Sequence, residues 1–426
     1  MAHPVSAPRR SPWLWVPTTY FAEGVPYVIV NTVSVVIYKK MGISNSLIAL
    51  TTSFLYLPWV IKMLWGPFVD TRATKRRWIV GTQVALAAGF AITALTMRSH
   101  FFFALSIAVF ALIAFASATH DIAVDGFYML GLTQTEQALF AGVRSTFYRV
   151  AMLFASGGLV VLAGHIERMT GDVPLSWIAA LGAAGAVFAG LALFHSWYLP
   201  RPASDGARRG GTEGGTSFLP VFRSYFAQPR IGAVLAFILL YRLGEAMLVK
   251  MALPFLLDPP VRGGLGLSTE SVGVIYGTVG TCCLLAGGIL GGLLIARFGF
   301  HRCIWPMALA LNAPDLGYLY MAWAKPPLPW ACGLVAVEQF GYGLGFTGFT
   351  VFLMYIAREP FKTAHYAIST GLMALGMMLP GAASGYIQVR LGYPAFFALV
   401  CLLTLPGMAS ILFIPVGENR RPEVEG

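Results

Sequence analysis

Twelve stretches of this chain are runs of roughly twenty mostly apolar residues, the length a helix needs to cross a bilayer at about 1.5 Å per residue. They fall near 14–38, 47–69, 78–97, 101–130, 138–163, 176–198, 231–257, 270–296, 302–323, 328–357, 364–389 and 393–415. The chain is 57% hydrophobic and only 11% charged, against about 25% charged residues in a soluble domain. It cannot cover itself with water-compatible surface. The sequence therefore predicts an all-α polytopic membrane protein with twelve transmembrane helices, in contact with a lipid bilayer. Arg9 and Arg10 precede the first run, which is too long for a signal-peptide core and lacks a cleavage signal, so it is read as the first span.

The formal net charge is +11, but the basic residues sit mainly between spans, which argues against a nucleic-acid partner. With a cytoplasmic N-terminus, 17 of the 29 Lys and Arg residues fall on the cytoplasmic side, 7 on the opposite side and 5 within spans. That bias sets the orientation. An even number of spans then puts both termini in the cytoplasm. Lys39 and Lys40 run against the bias. The five cysteines lie in or at the ends of apolar runs, without metal-ligand spacing. They read as small core hydrophobes, and no metal or cofactor is expected.

The longest connection, 199–230, contains Arg208-Arg209-Gly210-Gly211 and Gly214-Gly215, a linker composition. It predicts a six-helix bundle over 1–198, a cytoplasmic linker over 199–230 and a second bundle over 231–426. The halves look like distant copies. Gly66-Pro67-Phe68-Val69-Asp70-Thr71-Arg72 with Lys75-Arg76-Arg77 closes span 2, and Gly291 to Gly299 with His301-Arg302 closes span 8. Both resemble the loop motif of the major facilitator superfamily, which implies a major facilitator fold of two pseudo-symmetric six-helix halves. Tyr20 and Glu23 match Tyr241 and, offset by one residue, Glu245, and Asp121 matches Glu338.

Ionisable residues inside these runs carry the functional reading. They are Glu23, Lys62, Asp121, Asp125, Arg144, Arg149, Arg242, Glu245, Lys250, Asp315 and Glu338. Each costs at least ~2.5 kcal/mol at the midplane, so each is expected to be paired, turned inward or on a water-filled path. Asp121 and Asp125 are spaced i, i+4 and share one face of span 4. Arg144 and Arg149 are i, i+5, so their faces diverge. Matching depths predict the pairs Asp125–Arg144 and Asp121–Arg149. Asp125 lies where a cytoplasmic gate would be, near the loop that carries Asp70 and Arg72. Arg149 is expected to meet an anionic group of a substrate, since its planar fork binds carboxylate and phosphate bidentately. Glu23, beside a helix-bending Pro26, is the first choice for proton coupling, with Asp121 beside it. Tyr27 and Asn31 share the Glu23 face and are expected to hydrogen-bond substrate. Lys62 is expected either to pair with one of these acids or to snorkel. Arg242 and Glu338 are expected in the second half's part of the site. Glu245 is expected to pair with Arg242, Asp315 to be structural, and His120 to be a buried structural histidine. Gly341, Gly343, Gly345 and Gly348 are expected where helices approach closely.

No nucleotide-binding loop, catalytic triad or metal cluster occurs, so an enzyme is not expected, and transport would run on an ion or solute gradient. Phe21-Ala22-Glu23-Gly24-Val25-Pro26-Tyr27, the run Leu57 to Asp70, and Ser117 to Gly126 resemble the AmpG-type permeases, in their shorter, twelve-span branch. That resemblance implies a proton-coupled importer of anhydro-muropeptides for peptidoglycan recycling, working by alternating access as a monomer in a bacterial inner membrane. Two other readings are a same-fold transporter of another amphiphilic anion, such as a coenzyme A ester or siderophore, and a non-transporting membrane sensor.

Overall fold

The computed structural model describes residues 10–202, 205, 218–358 and 362–414. Arg9, Arg208, Arg209, Arg420 and Arg421 lie outside the described residues, as does the side chain of Asp70. The described part is mainly helical, and its helices group into twelve segments; eight helical runs, one of them covering both of the last two segments, are long and apolar enough to cross a membrane. The segments are α1 (Pro12–Lys40), α2 (45–72), α3 (Lys75–Thr96), α4 (Phe102–Gly131), α5 (134–170) and α6 (Val173–Tyr198). They continue with α7 (Ile231–Leu257), α8 (Thr269–Phe298), α9 (300–324), α10 (Leu328–Tyr355), α11 (362–391) and α12 (393–410). A short helix, Phe218–Phe226, precedes α7. The twelve segments match the sequence expectation.

Local chemistry sets where helices start and stop. Thr133 and Glu136 form a capping box that opens α5. The Asp172 carboxylate accepts from the Leu175 N–H at 2.9 Å and caps α6. The carboxylate of Asp205 accepts from the Lys75 and Arg76 backbone N–H groups at 2.6 and 3.1 Å, closing the start of α3. Gly392, at φ 73°, lies in the left-handed region and separates α11 from α12.

Four helices are irregular in ways that matter below. α1 runs on through Pro26 and widens to a π-turn over Ile29–Val33. α5 does the same over Leu153–Leu159. π-turns of this kind are frequent at functional sites. α7 breaks between Leu240 and Leu243, leaving Arg242 with non-helical angles. α9 breaks at Ala313-Pro314, so Asp315 opens its second half.

The chain divides into two compact units. The first comprises Met1–Met41, Leu55–Glu213 and Thr269–Gly277; the second comprises Gly42–Phe54, Gly214–Ser268 and Thr278–Gly426. In the first, α1 packs on α5, and α3 packs on both α4 and α6. A core of Trp15, Tyr20, Phe127, Tyr128 and Phe140 closes one end. A β-carbon on Gly24 would meet Ala151 Cβ at 2.8 Å and the Tyr148 carbonyl at 3.0 Å, so only glycine permits this approach of α1 to α5. In the second unit, α8 and α9 pack on α10, and α7 packs on α11 and α12. The glycines of α10 lie where expected: Gly341 and Gly345 meet α9, and Gly343 meets α8. Phe237, Tyr241, Phe349 and Phe352 form the adjacent core.

Candidate functional site

Most of the first unit's intramembrane charges converge. Asp125 accepts a hydrogen bond from the Tyr20 hydroxyl at 2.9 Å and faces the Arg144 guanidinium at 3.7 Å. Arg144 lies over the rings of Tyr20 and Tyr128, 4.9 and 5.4 Å from their centroids. The Asp125–Arg144 pair expected from matching depths is therefore present.

The second expected pair is not. Asp121 meets Lys62 at 3.4 Å, and Arg149 instead reaches the Ser145 hydroxyl at 3.5 Å. The divergence of the two arginines around α5 explains the difference: with Arg144 turned to α4, Arg149 is carried off that face. Lys62 takes the position because α2 is interrupted beside it, with a tight turn over Lys62–Leu64. Among the described residues, Arg149 has no carboxylate within ion-pair distance.

Glu23 lies between these pairs. Its carboxylate is within electrostatic reach of Asp121, Asp125, Lys62 and Arg144, and its Oε2 is buried without a hydrogen-bond partner. Asp121 Oδ1 is likewise buried and unpartnered. Two sealed carboxylate oxygens within one cluster are unusual, since buried polar groups are nearly always satisfied.

An aromatic group adjoins these acids. The Tyr27 ring lies edge-on to Tyr56 and Trp59, with centroids at 5.9 and 5.2 Å, and 6.4 Å from Tyr148. Tyr56 and Trp59 stack at 6.3 Å. All four are half-buried. Asn31 donates from its side-chain amide to the Tyr27 carbonyl at 2.9 Å, so it steadies the turn that carries Tyr27. Sequence reasoning singled out Tyr27 but missed Tyr56, Trp59 and Tyr148. Their signal was present: Tyr56 and Trp59 are i, i+3 around Pro58, and Tyr148 precedes Arg149.

His120 is structural, as expected. It is buried against Gln83 at 3.0 Å, Gln83 reaches His195 at 2.9 Å, and His195 reaches Thr18 at 2.8 Å, a polar chain that ties α4, α3, α6 and α1 together. Arg72 is exposed over the Phe68 ring, and Asp125 takes its recorded partners from Tyr20 and Arg144 rather than from that loop.

The second unit places Arg242 under 10% exposed, donating to the Tyr342 hydroxyl at 2.6 Å, with its guanidinium over the rings of Tyr342 and Phe346. The expected Arg242–Glu245 pair is absent among the described residues. Both oxygens of Glu245 are buried and unpartnered, because the break in α7 turns Arg242 towards α10. Lys250 donates to the Thr52 hydroxyl at 3.2 Å. Glu338 accepts from the Gln339 amide at 3.0 Å and the Tyr318 hydroxyl at 3.5 Å. Among the described residues no group of three or more His, Cys, Asp or Glu side chains is arranged to hold a metal ion.

Helical segments of bilayer length, carrying internal acids and bases and grouped in two units, define a membrane transporter. A family model described as Major Facilitator Superfamily matches residues 18–361, and the chain belongs to that superfamily. Within it the chain is similar to transporters of the AmpG type. It is 25% identical over 364 residues to the anhydromuropeptide permease of Escherichia coli (strain K12), covering 83% of this chain and 70% of that one. It is 21% identical to a putative transporter, AmpG 4, of Rickettsia conorii, covering 93% and 95%. Among solved structures, the fold is similar to a D-xylose–proton symporter (TM-score 0.71, 10% identity, covering 94% and 96%). It is also similar to a bacterial homologue of the lysosomal transporter Spinster (TM-score 0.68, 16% identity, covering 96% and 95%). The chain is thus a multi-pass membrane transporter, and its relatives are transporters rather than enzymes.

Proposed function

We propose that the protein is a proton-coupled importer of anhydro-muropeptides or closely similar sugar-peptides, working by alternating access in a bacterial inner membrane, with both termini cytoplasmic. What supports this best is the aromatic group that adjoins the acids Glu23 and Asp121 in the first unit. The half-buried rings of Tyr27, Tyr56, Trp59 and Tyr148 offer flat apolar faces with polar tips, which suit the faces of a sugar ring. Arg149, without an ion-pair partner among the described residues, offers a bidentate donor for a peptide carboxylate. A sugar-peptide presents both features. The relatives of the AmpG type, one of them named for anhydro-muropeptides, support the same substrate class.

Glu23 and Asp121 are the proposed proton carriers. Each has a sealed, unpartnered carboxylate oxygen that a proton would satisfy. Lys62 would hold Asp121 in its charged form, and neutralising Asp121 would release Lys62. Asp125, Tyr20 and Arg144 would act as a gate, with Asp70 and Arg72 in the loop after α2. Arg242 is the second unit's candidate for a further substrate anion.

The test is uptake of labelled anhydro-muropeptide by proteoliposomes, in competition with a coenzyme A ester and a siderophore. The reading predicts uptake by the wild type that the two competitors leave intact, and uptake reduced about tenfold or more in Arg149→Ala, the loss of one charged hydrogen-bonding partner. No uptake by folded wild type would overturn the substrate. Full competition by either anion would favour the alternative cargo.

A further inference from the structure

Glu245 on α7, Asp315 on α9 and Glu338 on α10 are each only 1% exposed. They feel one another's charge: Glu245 and Glu338 act on Asp315, and Glu245 acts on Glu338. None is in an ion pair among the described residues. Both oxygens of Glu245 and both of Asp315 are buried with no hydrogen-bond partner. Among the described residues Glu338 is held only by neutral donors, Gln339 and Tyr318.

The other groups facing the trio do not balance it. Those recorded against it are Arg242 on α7, Tyr318 on α9 and Cys401 on α12, which feels the charge of Asp315. Arg242 supplies one positive charge, already engaged by a tyrosine hydroxyl and two aromatic rings. Lys250 is turned to Thr52. Asp315 opens a helix, but a helix N-terminus offers roughly half an elementary charge. Three ionised carboxylates against one arginine leave two negative charges sealed in a low-dielectric interior, where an unpaired ion is among the costliest things a protein can hold. Two protons remove the imbalance and turn unpartnered acceptors into acids able to donate to one another.

We infer that Glu245, Asp315 and Glu338 form a proton-binding site in the second unit, separate from Glu23 and Asp121. The inference does not rest on the substrate proposed above. Glu338, which the sequence placed among substrate groups, is sealed in a way that suits a proton better than a solute. A proton fits better than a metal ion because the described carboxylates do not form a metal-holding group.

Infrared difference spectroscopy reads this directly, without substrate. Purified protein in lipid, near neutral pH, is compared with Glu245→Gln, Asp315→Asn, Glu338→Gln and the triple variant. The expected result is a carboxylic-acid carbonyl band in the wild type that weakens in the singles and loses its trio component in the triple variant. Each replacement keeps the shape of the protonated acid, and if the triple variant does not fold, the singles carry the comparison. Spectra of the folded variants that superimpose on the wild type would overturn the inference. A band erased by adding sodium at constant pH would also overturn it, showing a sodium site instead.

Discussion

The two units hold most of their buried acids differently, although Glu23 in the first, like the trio in the second, is in no ion pair among the described residues. In the first, Asp121 and Asp125 each meet a base on another helix, and Tyr20 adds a hydrogen bond. In the second, Glu245, Asp315 and Glu338 lie within electrostatic reach of one another, while Arg242 is spent on tyrosine and phenylalanine. The pseudo-repeat makes the contrast informative. Tyr20 corresponds to Tyr241, yet Tyr20 donates to a carboxylate and Tyr241 to the Gly345 carbonyl at 3.4 Å. Asp121 corresponds to Glu338, yet one has a lysine and the other an amide. Balanced pairs fix helices in register and break only when a charge is neutralised or displaced. An unbalanced cluster needs protons to exist at all.

The largest expected effect lies in the ion pairs of the first unit. Lys62→Met leaves Asp121 buried without its base. Removing one partner of a fully buried pair costs about 3–5 kcal/mol. Because the Lys62 side chain is 36% exposed, about 2 kcal/mol is expected here. Thermal unfolding in detergent should show the loss, and adding Asp121→Asn should restore most of it. No restoration would mean that Lys62 acts by packing rather than by charge.

Next comes Gly24→Ala. The added carbon meets backbone across the α1–α5 contact, an overpacking worth about 1–3 kcal/mol. The same change at Gly292, where nothing lies within 4 Å, should be neutral or mildly stabilising in a helix. Equal effects at both positions would remove the close approach as the reason for Gly24.

The smallest effect is the most diagnostic, because its sign differs between units. Asp125→Asn weakens a part-exposed pair and a hydrogen bond and should cost about 1 kcal/mol. Asp315→Asn keeps the shape of the protonated acid while removing a titratable group from the trio, and should leave the unfolding midpoint unchanged or raise it. A fall for Asp315→Asn as large as that for Asp125→Asn would mean that the trio is ionised and paired.

The fold was legible because its signal is coarse. Twelve apolar runs survive any error of a few residues at their ends, and even the broken α2 and α9 still read as spans. Asp125–Arg144 was legible too, since depth along a helix follows from counting. The Asp121 partner was not, because depth leaves rotation about the helix axis free; rotation gave Arg144 to α4 and carried Arg149 away. The break at Arg242 is likewise hidden from a count of i, i+3 spacing, which assumes an unbroken helix. The aromatic group escaped because single rings in apolar runs look like lipid-facing or core residues. Only three helices brought together make Tyr27, Tyr56, Trp59 and Tyr148 one surface.

The central claim is that the sealed acids of the first unit couple solute movement to protons, and Glu23 tests it most directly. Proteoliposomes are given labelled anhydro-muropeptide with and without an imposed pH gradient, using wild type and Glu23→Gln. The account predicts that the gradient drives accumulation by the wild type and has no effect on Glu23→Gln. Gradient-driven accumulation by Glu23→Gln equal to the wild type, or wild-type uptake indifferent to the gradient, would contradict it.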